Sequence, residues 1–188
     1  DACAAGKLIT LSKARAKLYY DMDTPVTINS IYSGTIPFYI PSEGLGNFDA
    51  VLSYTGGVSL EIQKKLLLAR KTFPLYGSVD PSVHFPVSYN EVKGKMSYLG
   101  TYSPDRQHAV EDLFFKPAKV FSDSIFKLCG AQYPSNIEWP VNVKHTVHLK
   151  PHEHAGFYCS CHFTLNITRS AMAWLGYCPS GRLFEAAA

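Results

Sequence analysis

The sequence predicts an α/β protein made of two successive units in which parallel strands alternate with helices. Three observations carry that expectation. Short apolar runs alternate with helical patterns along the chain, as in stacked strand–helix units. Residues 79–95 lack regular period and contain Pro81 and Pro86, which marks a connection between the units. The positions just after the apolar runs are rich in Gly, Thr, Arg and Asp, and parallel sheets bind ligands beyond the carboxyl ends of their strands.

In chain order, residues 16–20 read as a strand ending at Asp21-Met22-Asp23, and Thr24-Pro25 opens a helix over residues 26–32. Residues 50–54 form a second strand that ends at Thr55-Gly56-Gly57. A helix over residues 59–68 follows, with Leu60, Leu66 and Leu67 on its apolar side. Residues 72–77 are a third strand. The second series begins with a strand at 96–99, a turn at 100–104 and a helix over 105–115. Strands at 125–130, 141–149 and 163–167, a short helix at 151–158 and a last helix after Pro179 complete it. The expected domains are residues 1–80, a linker over 81–95, and residues 96–188.

Composition narrows the function classes. With 46% hydrophobic and 18% charged residues among 188, the chain has the material for a core and is not a disordered segment. The net charge is +3 and the 18 Lys and Arg are scattered, so no basic face for nucleic acid is expected. Five cysteines at uneven spacing favour a reducing, cytoplasmic setting. No apolar run approaches the roughly 20 residues that span a bilayer. The sequon Asn166-Ile167-Thr168 is expected to end a buried strand rather than carry a glycan. Because the chain opens at Asp1 and stops at Ala188 within a helix-forming run, it reads as a fragment, with both units incomplete.

Several stretches have the residue types for binding an anion. Gly100-Thr101-Tyr102-Ser103-Pro104-Asp105-Arg106 is a strand end, a small-residue turn and a helix start, to which Arg106 adds a guanidinium. An ordinary turn capped by Ser103 or Asp105 is the structural alternative. Pro179-Ser180-Gly181-Arg182-Leu183-Phe184-Glu185 has the same form, and Glu185 is placed to accept hydrogen bonds from a ribose diol. Thr168 and Arg169 follow a strand between these two stretches. In the first unit, Asp21-Met22-Asp23 has the spacing of a metal clamp or of a helix cap, and Thr55-Gly56-Gly57 offers close backbone approach or a tight turn. The histidines and cysteines between His145 and His162 fit no standard zinc spacing, and no metal ligands are assigned. No Gly-x-Ser-x-Gly or phosphate-loop motif is present.

Taken in order, residues 20–27, 52–57, 74–81, 98–107, 130–134, 163–169 and 176–188 resemble the CgeB-type (spore maturation protein) glycosyltransferases. The resemblance implies a GT-B fold of two Rossmann-like domains, with the acceptor held mainly by the first and a nucleotide-sugar mainly by the second. It implies that Glu185 contacts the donor ribose, that the Gly100 turn and Arg169 face the diphosphate, and that Arg182 neutralises the leaving group. Gly181 stands where that family more usually carries Val or another side chain. The donor-binding set is thus Gly100, Thr101, Tyr102, Arg106, Thr168, Arg169, Pro179, Ser180, Arg182, Leu183 and Glu185, with Thr24, Thr55, Gly56 and Gly57 lining the cleft. Transfer requires a departing diphosphate to be stabilised and an acceptor hydroxyl to be deprotonated, the latter by Asp23 or by a group in the missing amino-terminal part. The expected reaction is metal-independent transfer, without a cofactor, from a nucleotide-sugar to a glycan, protein or small molecule; the fragment itself is expected to keep the outline of the donor site and to lack transfer activity. A catalytically inactive nucleotide-sugar-binding or scaffold protein of the same fold, and a zinc-stabilised interaction module, are the competing expectations.

Overall fold

The structure is a computed structural model and describes residues 2–88 and 94–188. Part of the linker expected over 81–95 lies outside the described residues. The chain forms two compact units, one of Asp1–Gly77 with Ser170–Pro179 and one of Ser78–Arg169 with Ser180–Ala188. Both are α/β with parallel sheets, consistent with a Rossmann-like arrangement. Among the described residues, no helix is long and apolar enough to cross a membrane.

The first unit contains α1 (Ala2–Leu11), β1 (Leu18–Asp21), α2 (Thr24–Tyr32), β2 (Ala50–Ser53), α3 (Val58–Leu67) and β3 (Thr72–Pro74). The strands pair in the order β1-β2-β3, all parallel, with Tyr19 opposite Val51 and Val51 opposite Thr72. Helix α1 was not expected from the sequence. Its run Ala-Cys-Ala-Ala has strong helix propensity, but neither a cap nor a clear apolar period announces it. The core is Ile40, Leu45, Phe48, Val51, Leu67 and Ala69, with Tyr19 edge-on to Phe48. On α3 the buried residues are Ser59, Gln63 and Leu67, so of the three leucines expected Leu67 is buried, while Leu66 packs partly buried against the core. Spaced four apart, they form one helix face; Ser59 bonds to Thr55 and Gly56 just after β2, and Gln63 donates to Asp21 at the end of β1 and to Thr24.

The second unit contains β4 (Gly94–Leu99), α4 (Pro104–Val110), a π-helical turn at Glu111–Phe115, α5 (Lys116–Val120), β5 (Phe126–Cys129) and β6 (Val143–Thr146). A 3-10 turn at Pro151–Glu153 leads into α6 (His154–Cys159) and β7 (Cys161–Leu165). The chain then contributes α7 (Ser170–Leu175), which packs with α2 in the first unit, and returns for α8 (Gly181–Ala187). Residues 170–179 therefore group with the first unit, whereas the sequence reading kept them with the second.

The helix expected over 105–115 continues to Val120 because the wide π turn stands just ahead of Pro117. Proline lacks the N–H that an α-helix would use there, and the Lys116 N–H bonds instead to the Glu111 carbonyl, one residue beyond the α spacing. Phe114, Phe115 and Val110 from this helix pack on Tyr98, Phe126 and Leu128 of the sheet.

The sheet order is β6-β5-β4-β7, all parallel. The first three strands run outward in one direction, and the chain then crosses back to place β7 on the other side of β4. That reversal is the topological switch point at which open α/β sheets form their ligand crevice. Strand β7 was expected to be buried, but it lies at the sheet edge, with Phe163 60% exposed.

Candidate functional site

The carboxyl ends of β4, β5 and β6 open on a cleft of about 270 Å³ walled by Gly100, Thr101, Gly130, His148, His154 and Arg182. The turns after β4 and β5 are held together by backbone. Gly100 N–H donates to Cys129 O at 2.8 Å, and Tyr102 N–H donates to Ala131 O at 2.9 Å. A Cβ on Gly130 would lie 1.9 Å from Gly100 O, so glycine is required for this approach. Arg106 is a brace rather than a free cation, because it donates from Nη2 to Thr101 O at 2.7 Å.

Glu185 lies beside this cleft, one helical turn after Arg182 on α8. Arg182 Nη1 donates to both carboxylate oxygens, at 2.8 and 2.6 Å. Tyr158 OH donates to Oε2 at 3.1 Å, and His154 Nδ1 stands 3.2 Å from the same oxygen. Burial pushes the Glu185 carboxyl up. The hydrogen bond and charge of Arg182, aided by His154 and Tyr158, outweigh it and hold the group below the ordinary carboxylate range. Glu185 is therefore an anion at neutral pH, with Arg182 as its counter-charge. Ser180 caps α8 by accepting the Arg182 N–H at 3.2 Å.

The remaining sequence-predicted donor residues are dispersed. Leu183 lines a small hollow of about 60 Å³ with Arg182, Leu99 and Asn166. Tyr102 turns away from the cleft and meets Tyr133 edge-on at 5.5 Å. It borders a larger hollow of about 530 Å³ along α4 and α5, between Gln107, Lys119 and Ile137. The smaller cleft is the better candidate because it lies at the strand ends and contains Arg182 and His154. Thr168 is half-buried and Arg169 exposed after β7, and neither lines a cleft described here. Pro179 groups with the first unit.

In the first unit the expected cleft-lining residues form a closed polar network. Asp21, 2% exposed, accepts from Asp23 N–H and Thr27 Oγ1 through Oδ1 and from Gln63 Nε2 through Oδ2. Thr24, Ser53, Thr55 and Ser59, all fully buried, continue it in a chain of hydroxyl contacts. Thr24 and Thr55 are thus enclosed and do not face a cleft. Desolvation raises the Asp21 carboxyl above its usual range, against the opposing hydrogen bonds. Asp23 is exposed, at the N-cap of α2, and makes no side-chain capping bond. The close approach offered by Gly56-Gly57 is taken by Tyr177: Gly56 N–H donates to its carbonyl at 3.1 Å, and a Cβ on Gly57 would sit 2.6 Å from its ring.

The histidines and cysteines between 145 and 162 separate in space. His145 stacks on Trp139 and bonds to Gly130 O, while Cys159 Sγ accepts the Val87 N–H. Among the described residues, the only group of three or more with metal-compatible spacing is His84, His154 and Glu185. Sequence reasoning missed His84 and Tyr158, and it saw in His154 only one member of the dispersed cluster. No local pattern links residues so far apart in the chain to Glu185.

No curated protein and no solved structure matches the chain significantly. Residues 106–188 match the model of the glycosyl transferase-like family, a span that contains Arg106, Thr168, Arg169, Arg182 and Glu185 and supports glycosyl transfer at a general level.

Proposed function

We propose that the chain is a GT-B-type glycosyltransferase of the CgeB kind and that its second unit binds a nucleotide-sugar. The observation that carries this reading is the Arg182–Glu185 pair beside the cleft at the carboxyl ends of β4 and β5. A carboxylate held ionised can accept both hydroxyls of a ribose, and a guanidinium one turn away can take the diphosphate. Donor binding then exchanges one internal ion pair for two external contacts. Gly100 and Thr101 give the phosphates a wall of backbone, and Arg106 keeps that wall in place. Thr168, Arg169, Pro179, Ser180 and Leu183 complete the donor set as implied by the family resemblance.

In the reaction, the bond between the sugar and the diphosphate breaks as charge develops on the leaving phosphate. Arg182 stabilises that charge, so the transfer is metal-independent. Asp23, exposed at the end of β1, accepts the proton from the hydroxyl of a glycan, protein or small-molecule acceptor.

Calorimetry of the protein with UDP, GDP and ADP, in EDTA, tests the reading. One of them binds, and Glu185→Ala weakens it by about 10- to 100-fold, the loss expected for one charged hydrogen bond of about 1.5–3 kcal/mol. The 2′-deoxy analogue loses a similar factor with the native protein and almost nothing with Glu185→Ala. If the deoxy penalty survives in the variant, Glu185 does not read the ribose. If no nucleoside diphosphate binds, the donor assignment fails.

A further inference from the structure

We propose that His84, His154 and Glu185 form a binding site for a divalent first-row cation of the zinc type, which displaces the Arg182 guanidinium on entry. The site goes beyond the nucleotide-sugar reading and shares Glu185 and Arg182 with it. Its donor atoms come from three separate parts of the second unit: the segment before β4, the first residue of α6, and α8.

The geometry is close to that of a three-ligand centre. His154 Nδ1 is 3.2 Å and His84 Nε2 is 3.9 Å from Glu185 Oε2, and the three ligand atoms lie within 4.8 Å of one another. Two ligands on a tetrahedral zinc stand about 3.3 Å apart, given bonds of about 2.0–2.1 Å. One pair already meets that spacing, and the others need a closure of about 0.6 Å and of up to about 1.5 Å, within reach of side-chain rotation. Two imidazoles and one carboxylate with an open fourth position form a recurrent zinc donor set.

The second observation is an unmet need at His84. Its side chain is 12% exposed, and both ring nitrogens are enclosed without a hydrogen-bond partner among the described residues. Buried polar atoms are nearly always satisfied, so an orphan imidazole calls for an absent partner. A third lies at His154 Nδ1, which stands 3.2 Å from Glu185 Oε2 and 3.3 Å from Arg182 Nη1. A single ring nitrogen cannot donate to the carboxylate and accept from the guanidinium at once. A metal cation at this point would take the lone pair of each imidazole and a carboxylate oxygen together. Tyr158, donating to Oε2, supplies the outer hydrogen bond that orients a ligating carboxylate.

Arg182 now fills the role of the cation. Its side chain is 42% exposed, so it can swing into solvent when a stronger cation arrives. The arrangement is thus an ion-exchange site, with a tethered monovalent cation holding the place of a divalent one. That gives a prediction of unusual sign: removing Arg182 improves metal binding.

The test is titration of the EDTA-stripped 188-residue protein with Zn²⁺ against a chromogenic chelator, and with Co²⁺ by its visible d–d absorption. One equivalent binds to the native protein. Arg182→Ala tightens binding at least tenfold, His84→Gln and Glu185→Gln each weaken it at least tenfold, and His152→Ala leaves it unchanged. Circular dichroism establishes that each variant is folded. Should His84→Gln misfold, the gain in Arg182→Ala still decides the matter. Equal affinity in native and Arg182→Ala protein, or a loss in His152→Ala as large as that in Glu185→Gln, overturns the site.

Discussion

Placing an alanine at position 130 should destabilise the second unit and splay the turns that wall its cleft. The added Cβ would lie 1.9 Å from Gly100 O, 2.6 Å from Gly100 C and 3.1 Å from Thr101 N, all backbone atoms that cannot rotate aside. Relief requires the two turns to separate by more than 1 Å, since non-bonded heavy atoms prefer about 3.5–4.0 Å. That movement breaks Gly100 N–H to Cys129 O and Tyr102 N–H to Ala131 O. Overpacking costs about 1–3 kcal/mol and each backbone bond about 0.5–1.5, giving a loss of about 2–6 kcal/mol. Backbone torsion adds nothing, because φ at Gly130 lies outside the left-handed region. The assay is equilibrium urea unfolding followed by Trp139, which stacks on His145 at 4.3 Å, with Trp174 of the other unit changed to Phe. With a slope of about 2 kcal/mol per molar, the midpoint should fall by about 1–3 M. Gly6→Ala is the contrasting glycine, followed in the first unit by Trp174 with Trp139 changed to Phe: its Cβ meets Pro41 and Phe48 at ordinary distances of 3.7 and 3.9 Å inside α1, and it should gain about 0.5–1 kcal/mol. A midpoint for Gly130→Ala within about 0.3 M of the parent would refute the steric argument.

Two further predictions concern buried groups. Asp21 has a carboxyl raised above its reference value of 3.8, so the folded protein keeps this proton after the unfolded chain has released it. Its contribution to stability therefore falls as pH rises from about 3.8 through the raised value, by about 1.4 kcal/mol for each tenfold difference in proton affinity. Asp21→Asn should remove that slope and stay within about 1 kcal/mol of the parent at pH 7, because a turned Gln63 amide can use its unpaired Oε1. Asp21→Ala, which removes the carboxylate acceptor of the Asp23 N–H, Thr27 Oγ1 and Gln63 Nε2 and leaves a buried void, should cost about 3 kcal/mol. Parallel stability profiles for Asp21→Asn and parent between pH 4 and 7 would sink the assignment. Among the thiols, Cys129, Cys161 and Cys178 are buried, and burial together with Asp23 pushes Cys178 up to about 11. At pH 8 only about one Cys178 in a thousand is thiolate. A disulfide-exchange reagent should leave these three unmodified in the native protein while Cys3 reacts, and it should count five after denaturation. Rapid labelling of Cys178 is the contrary result.

The sheets were legible because their strands are compact apolar runs that end at small residues. Ala50–Ser53 before Thr55-Gly56-Gly57 and β4 before Gly100 are both of this kind. Helices were read less well where a local rule misled. Leu60, Leu66 and Leu67 suggested the inner face of α3; Leu67 does lie there, but the two fully buried positions beside it are Ser59 and Gln63. The inner face is set by Asp21 and Ser53 at the strand ends and by Thr55 just after β2, which need hydroxyl and amide partners. The helix expected over 105–115 runs on to Val120, because the π turn ahead of Pro117 accommodates the proline. At the candidate site, Arg182 and Glu185 were visible because they are one turn apart. Tyr158, His154 and His84 reach them from 27 to 101 residues away in the chain, a distance no spacing rule bridges. The Gly56-Gly57 pair was read as close backbone approach for a ligand or as a tight turn, and the group that approaches it, Tyr177, is likewise a residue of distant sequence.

The return of residues 170–179 to the first unit sets an order on folding during synthesis. Strands β1, β2 and β3 are complete once Pro74 has left the ribosome, but α2 must wait for α7 as its packing partner, and Gly56 N–H waits for the carbonyl of Tyr177. The second unit is interrupted in turn, since α8 arrives only after that excursion. At about 5–20 residues per second, the first unit remains unfinished for several seconds while the second is being made. A truncation at residue 169 would therefore remove a part of both units at once, and a protease cut there would not release either one whole.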